Sequence, residues 1–290
     1  RSLGLADWEL VSVRDELDVI GPVAASVLRA HGLLYPANAH IHAPLLDRAR
    51  GGRLLTGFGG DQAFRQCPRS RRPWWAARRS DPPAWPWLTR SAAAQVERRL
   101  AREKHLVPKD EASRGRWRAN RRDVDLACAS VAAIAGGLGA EISHPLLDAS
   151  FLEAVEATGI TPAGAGGRPG IVKTLFGEAL PAECVARRSK AHFRQVIWQS
   201  HTRAAISPAN VERTIEALAD GCFDGLVDLQ ALRHEWAAPE PNSRTALLLQ
   251  RAWLVLDNAS GSGQDRTQAR TRVGGSDFGE KDGEGGDGQR

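Results

Sequence analysis

Apolar residues recur at intervals of three and four positions along much of this chain, which is the spacing of helices that bury one face. The stretch 91–106 has Val96 and Leu100 on one side, charged residues on the other, and Ser91 as the expected N-cap. A second stretch, 124–138, is more apolar and rich in alanine, which predicts a buried helix. The same spacing predicts further helices over 22–31, 44–49, 151–157, 171–180, 209–218, 229–236 and 243–256.

A short apolar stretch, Leu54 and Leu55, precedes the sequence Thr-Gly-Phe-Gly-Gly-Asp at 56–61, and a helical pattern follows. The glycines let the backbone turn sharply with its N–H groups pointing outward, which makes an anion-binding nest. Asp61 adds a carboxylate of the kind that holds a magnesium ion on a phosphate group. The alternative is a Gly-rich strand-to-helix turn in which Asp61 is the helix N-cap.

Two further motifs follow along the chain. Residues 141–148 have the sequence Glu-Ile-Ser-His-Pro-Leu-Leu-Asp, and residues 187–193 have the sequence Arg-Arg-Ser-Lys-Ala-His-Phe. Together with 56–61, and in this order, they resemble the synthetase domain of the asparagine synthetase family, over 31–256. The resemblance implies an α/β fold, here a truncated adenine-nucleotide α-hydrolase-like (PP-loop/HUP) domain that is predominantly helical. It also implies an ATP-dependent ligase that adenylates a carboxylate with ATP and Mg²⁺, after which an amine displaces AMP.

The resemblance assigns roles to individual residues. By motif position, Lys190 would contact phosphate and stabilise the oxyanion, and Glu141 would be the acid/base or substrate-orienting carboxylate. Asp61 would be the metal ligand. The nucleotide site would be lined by Thr56, Gly57, Gly59, Gly60 and Asp61. The substrate pocket would include Phe58, His144, Asp148, Lys173 and Arg188. Structural roles for His144 and Asp148, and a helix-capping role for Arg188, are open alternatives.

Several positions depart from the family pattern. The family's pyrophosphate loop, Ser-Gly-Gly-x-Asp-Ser, does not occur in the sequence, and the chain has neither an N-terminal cysteine nor a methionine. We therefore expect 1–256 to be a synthetase domain without its pyrophosphate-loop part, taken from a longer protein. Phe58 stands where asparagine-forming members carry glutamate and β-lactam-forming relatives carry tyrosine. Phenylalanine cannot accept a proton.

These departures leave alternatives to an asparagine-type ligase. Trp253-Leu254 also resembles the macrolactam-forming branch, whose members cyclise a precursor peptide into a lasso. A catalytically inactive fragment that acts as a binding module is the second alternative. The expected partners are a small-molecule or peptide carboxylate and an amine donor, and they include a precursor peptide in the macrolactam alternative or a separate glutaminase as the source of the amine.

Composition and charge indicate which partners and which cellular compartment to expect. The net charge is +5, but it comes almost entirely from arginine, which is typical of coding preference and solvated helix faces. Nucleic-acid binding is therefore not expected. The four cysteines are scattered, which predicts neither a zinc site nor a disulfide scaffold, and indicates a reducing cytoplasm. The sequence shows neither a signal peptide nor a long apolar run, so no membrane partner is expected.

Three segments have less specific signals. His40 and His42 lie two apart, which would suit a metal on a strand, although a structural or substrate-lining role is favoured. The segment 65–87 is rich in Arg, Trp and Pro, and is interpreted as a surface loop or lid rather than as a platform for stacked bases. Residues 257–290 have almost no apolar positions, which predicts a disordered tail.

Overall fold

The computed structural model describes residues 9–64, 85–110, 113–161, 165, 167–181, 198–219, 223–239 and 241–273. Helices dominate these residues, and two short strands form the sheet. The α-helices are α1 (Pro22–His31), α2 (Ala43–Arg48), α3 (Gly60–Phe64), α4 (Arg90–Leu106), α5 (Arg114–Ala119), α6 (Arg122–Gly137), α7 (Ala149–Ala157), α8 (Arg168–Phe176), α9 (Ser200–Ala205), α10 (Val211–Ala219), α11 (Leu229–Trp236) and α12 (Ala246–Val273). Single 3₁₀ turns occupy Asp15–Leu17, Ala39–His42, Pro145–Leu147 and Ser243–Thr245.

The sheet consists of β1 (Arg53–Leu55) and β2 (Glu141–Ser143), which pair in parallel. Their register sets Arg53 opposite Glu141, Leu54 opposite Ile142 and Leu55 opposite Ser143. Between the strands the chain passes through α3 to α6, as a parallel pair requires, since such strands need a long crossover. The mostly helical chain with a small parallel sheet is compatible with the predicted α/β class.

Two predicted helix caps are replaced by neighbouring residues. Thr89, rather than Ser91, caps α4, because its Oγ1 accepts the backbone N–H of Ala92 at 3.3 Å. Asn242, rather than Ser243, begins the C-terminal helical region, since its Oδ1 accepts the N–H of Arg244 at 3.1 Å. In both cases the residue with the capping side chain also has the extended backbone that an N-cap needs.

The first part of the segment 257–290, which composition predicted to be disordered, is helical. Helix α12 continues to Val273, so the chain is helical over 257–273. A helix that has already formed gains one hydrogen bond for each residue added, which favours its continuation. Residues 274–290 lie outside the described part of the chain.

In the part of the chain that the structure describes, the core forms three apolar clusters. The sheet cluster surrounds β1 and β2, with Leu46, Val131 and Ile134 buried and Leu54 and Phe58 packed against them. The phenylalanine cluster contains Phe64, Phe151 and Phe176, and the Phe64 ring meets each of the other two edge to face at 6.2 Å. The tryptophan cluster packs α10, α11 and α12 around Trp87, Trp198, Trp236, Leu232 and Leu249. The loop after β1 connects the first two clusters, because Phe58 packs in one and Phe64 in the other.

A buried carboxylate ties the N-terminal segment to α9. Asp18 is fully buried and accepts the backbone N–H groups of Gln199 at 3.1 Å and of Thr202 at 2.9 Å, together with the Thr202 hydroxyl. Gln250 on α12 donates its amide to the carbonyl oxygens of Val19 and Ala37. These bonds provide partners for polar groups that would be expensive to bury alone.

Candidate functional site

The candidate site is the carboxyl end of the two parallel strands. The N–H of Thr56 donates to the carbonyl oxygen of Ser143 at 3.1 Å, which extends the strand ladder by one bond beyond β1. The loop then closes into α3, with Gly60 N donating to Gly57 O at 3.2 Å and Ala63 N to Gly59 O at 2.8 Å. The strand, glycine turn and helix predicted for 53–64 are therefore confirmed.

Gly59 brings the loop against the second motif. It is buried, has φ of 96°, and a Cβ at this position would lie 2.7 Å from the backbone carbon and oxygen of Leu146. Only glycine allows both this left-handed backbone and this close approach. By contrast, a Cβ on Gly57 would meet nothing within 4 Å. The motifs at 56–61 and 141–148 thus pack backbone to backbone.

Thr56 and His144 connect the same two loops through their side chains. Thr56 Oγ1 lies 2.6 Å from His144 Nδ1, and it also accepts the N–H of Phe58 at 3.2 Å. The other ring nitrogen, His144 Nε2, is buried and has no hydrogen-bond partner among the described residues. Burial lowers the pKa of His144, and the neighbouring His42 lowers it further.

The Phe58 ring contacts two histidine rings. Its ring centroid is 5.7 Å from that of His42 and 5.2 Å from that of His144. His42 Nδ1 lies 3.1 Å from the carbonyl oxygen of Ala39. Burial lowers the pKa of His42 as well, so both imidazoles are neutral at pH 7. The sequence assigned Phe58 and His144 to the substrate pocket and favoured a structural or substrate-lining role for His42, but it did not indicate that the three rings meet.

Glu141 lies at the opposite end of the strands. In the parallel register it pairs with Arg53 at the start of β1, whereas Thr56 and His144 follow the strand ends. Its Oε2 accepts from Arg53 Nε at 2.8 Å, and both side chains are exposed. The structure does not bring Glu141 together with the loop at 56–61.

Asp148 caps a helix. Its Oδ1 accepts the N–H groups of Ser150 at 2.9 Å and Phe151 at 3.3 Å at the start of α7. The Ser150 hydroxyl and these backbone donors hold the pKa of Asp148 below its usual range. This arrangement is the structural alternative that the sequence left open for Asp148.

The remaining predicted residues are dispersed or undescribed. Asp61 is half-buried in the first turn of α3, next to the glycine loop. Lys173 is exposed on α8. Arg188 and Lys190 lie outside the described residues, as does most of the segment 65–87.

The part of the chain that the structure describes contains no group of three or more His, Cys, Asp or Glu side chains able to hold a metal ion. His40 is buried, and its two ring nitrogens face the carbonyl oxygens of Leu17 at 2.9 Å and Ala37 at 3.2 Å. The structural role favoured for His40 agrees with these contacts.

A separate cleft of about 1070 Å³ lies in the C-terminal helical region. Its described walls include Trp198, Arg203, Arg233 and Trp236, and the Arg233 guanidinium pairs with Glu212 at 2.6 Å. None of the described residues that the sequence assigned to the site lines this cleft. The cleft is therefore separate from the strand-end site.

No family model, no curated protein and no solved structure matches this chain. Among the described helices, none combines the length and apolar character needed to cross a bilayer.

Proposed function

We propose that this protein is part of an ATP-dependent, amide-forming ligase. A carboxylate attacks the α-phosphate of ATP and releases pyrophosphate, and an amine then attacks the acyl adenylate and releases AMP. The observation that carries the proposal is the contact between Gly59 and Leu146. Through it, two motifs far apart in sequence meet at the carboxyl ends of parallel strands, where ligands bind in open α/β sheets. A PP-loop-type nucleotide fold is part of the same proposal.

The glycine loop offers donors that suit a phosphate group. The backbone N–H groups of Gly57 and Gly59 have no acceptor among the described residues, whereas those of Phe58 and Gly60 are used within the loop. Gly57 is exposed, and the space beside its Cα is open. A phosphate oxygen can therefore approach the loop from the Gly57 side and accept hydrogen bonds from its backbone.

Asp61 is the residue that would hold magnesium. Mg²⁺ is commonly bound through one or two carboxylates together with substrate phosphates and water, so one carboxylate beside a phosphate loop fits this ion. The ion would neutralise charge on the phosphates of ATP. Lys190, by its place in the third motif, would stabilise the charge that develops as the amine attacks.

The first test is magnesium-dependent ATP–pyrophosphate exchange. It would compare this chain with the same reading frame extended upstream, across a panel of carboxylates that includes aspartate and glutamate. Exchange that depends on one carboxylate supports the ligase. If neither form shows exchange and neither binds ATP, the ligase proposal fails, and an inactive binding module replaces it.

Substitution then tests the assigned residues in the active form. Asp61→Asn should suppress exchange, because the metal loses its charged ligand. Lys190→Ala should abolish amide formation while leaving the fold intact, as judged by circular dichroism. Lys109→Ala, at an exposed lysine outside the three motifs, is the matched control. Unchanged amide formation in Lys190→Ala would remove Lys190 from the mechanism.

A further inference from the structure

The amide-forming step needs a base near the glycine loop, and Phe58 cannot provide it. An attacking amine becomes cationic as its nitrogen bonds to the acyl carbon, so a proton must leave. Glu141 is exposed at the far end of the strands and is paired with Arg53. The bases that adjoin Phe58 in the described residues are the imidazoles of His42 and His144.

The hydrogen bond of His42 determines its tautomer. A backbone carbonyl oxygen only accepts, so His42 Nδ1, 3.1 Å from Ala39 O, must carry the hydrogen. In the neutral ring the lone pair is then on Nε2. No described residue hydrogen-bonds to His42 Nε2, so the lone pair of this nitrogen is not used within this part of the chain. It is therefore available to a substrate group.

The surroundings of His144 prevent it from acting as the base for the amine. Its Nδ1 is bonded to Thr56 Oγ1 at 2.6 Å, and its Nε2 is buried. Neither nitrogen can reach an incoming amine without breaking this packing. His144 instead packs against the Phe58 ring, as His42 also does.

We propose that His42 Nε2 accepts the proton of the attacking amine, with Phe58 holding the imidazole in place from the side of the glycine loop. The inference rests on the proposed ligase function. In the step, the amine nitrogen bonds to the acyl carbon, the bond from that carbon to the AMP oxygen breaks, and AMP leaves with the electron pair. The amine proton moves to His42 Nε2 and is later released to water.

The electrostatic surroundings agree with this role. Burial lowers the pKa of His42, and the titratable groups that interact with it among the described residues are His40 and His144, whose pKa values burial also lowers. His42 is therefore unprotonated at pH 7 and ready to accept a proton. A positioned base of this kind contributes about 100-fold or more to a rate.

The test uses two nucleophiles with the active, upstream-extended protein and the carboxylate that supports pyrophosphate exchange. Methylamine needs a base as it attacks, whereas hydroxylamine is a strong nucleophile that gives up its proton readily to water. The variant is His42→Asn, because the asparagine amide can still donate to Ala39 O but has no imidazole Nε2. The control is His105→Gln, at an exposed histidine on α4.

We expect His42→Asn to slow methylamide formation about 100-fold while hydroxamate formation and pyrophosphate exchange stay near wild type. The loss should shrink as the pH rises, because hydroxide replaces the missing base. Equal rates with methylamine in variant and wild type would overturn the role of His42. Equal losses with both nucleophiles would also overturn it, since they would indicate a structural contribution. Absence of hydroxamate and of exchange in the wild type would instead reject the ligase itself.

Discussion

Thr56 Oγ1 and His144 Nδ1 lie 2.6 Å apart although 88 positions separate the two residues in the chain. The contact joins the first residue after β1 to the first residue after β2, and it is half-buried. Because the Thr56 hydroxyl also accepts the N–H of Phe58, one oxygen links both strand ends and the glycine loop.

Thr56→Val should therefore destabilise the protein beyond the loss of one surface hydrogen bond. The substitution keeps the shape of the side chain but leaves the Phe58 N–H and the His144 ring without their partner. We expect a decrease of about 1–3 kcal/mol in the free energy of unfolding, measured by urea denaturation. Thr174→Val, at an exposed threonine on α8, should change it by less than about 0.5 kcal/mol. Equal effects would contradict the linking role of Thr56.

The glycines of the loop should differ sharply in their tolerance of alanine. In Gly59→Ala, the alanine must adopt a positive φ and its Cβ would clash with the Leu146 backbone, so we expect the free energy of unfolding to fall by about 2 kcal/mol or more. Gly57→Ala has neither a positive φ nor a nearby atom to clash with, so it should leave the free energy of unfolding nearly unchanged. Gly51→Ala separates the two causes, because Gly51 has φ of 75° but open space around it. Thermal unfolding of the three variants should give the order Gly57, Gly51, Gly59 in increasing damage.

Two buried tryptophans should respond differently to the same substitution. Trp236 Nε1 donates to Thr245 Oγ1 at 3.0 Å, whereas Trp198 Nε1 is buried without an acceptor among the described residues. Trp→Phe removes equal volume at both positions but breaks a hydrogen bond only at Trp236. We expect Trp236→Phe to be more destabilising than Trp198→Phe by about 1 kcal/mol in urea unfolding. The reverse order would show that packing, rather than the indole N–H, decides the difference.

Stability should fall as the pH drops from about 7 toward about 5.5. Burial lowers the pKa values of His40, His42 and His144 from the ordinary value of 6.5, so these rings stay neutral in the folded protein. Below that value the unfolded chain binds protons that the folded chain does not, which favours unfolding. Urea midpoints across this range measure the effect.

His42→Asn should make this pH dependence shallower, since it removes one of the three groups. His105→Gln, at the exposed histidine, is the control and should retain the wild-type slope. A stability that rises on acidification through this range would contradict the neutral state of the buried histidines.

The sequence by itself determined the local elements. Helix α1 spans the 22–31 range predicted from its apolar spacing and its Gly32 end signal, and α11 spans the predicted 229–236. The strand before Gly57 and the turn into α3 also follow from local chemistry, because glycine content and apolar spacing act between near neighbours. The N-caps of α4 and of the C-terminal helical region lie one or two residues before the predicted ones, because several adjacent polar residues have side chains that can cap a helix.

Only the tertiary structure decided which of the predicted site residues meet. The parallel register of β1 and β2 sets Glu141 beside Arg53 and His144 beside Thr56, and no local pattern specifies a register between strands so far apart in the chain. The arrival of His42 against Phe58 likewise depends on how the turn at Ala39–His42 packs on the sheet cluster. Local preferences act over a few residues, whereas a site is made by contacts between distant segments, and those contacts arise from the packing of the whole core.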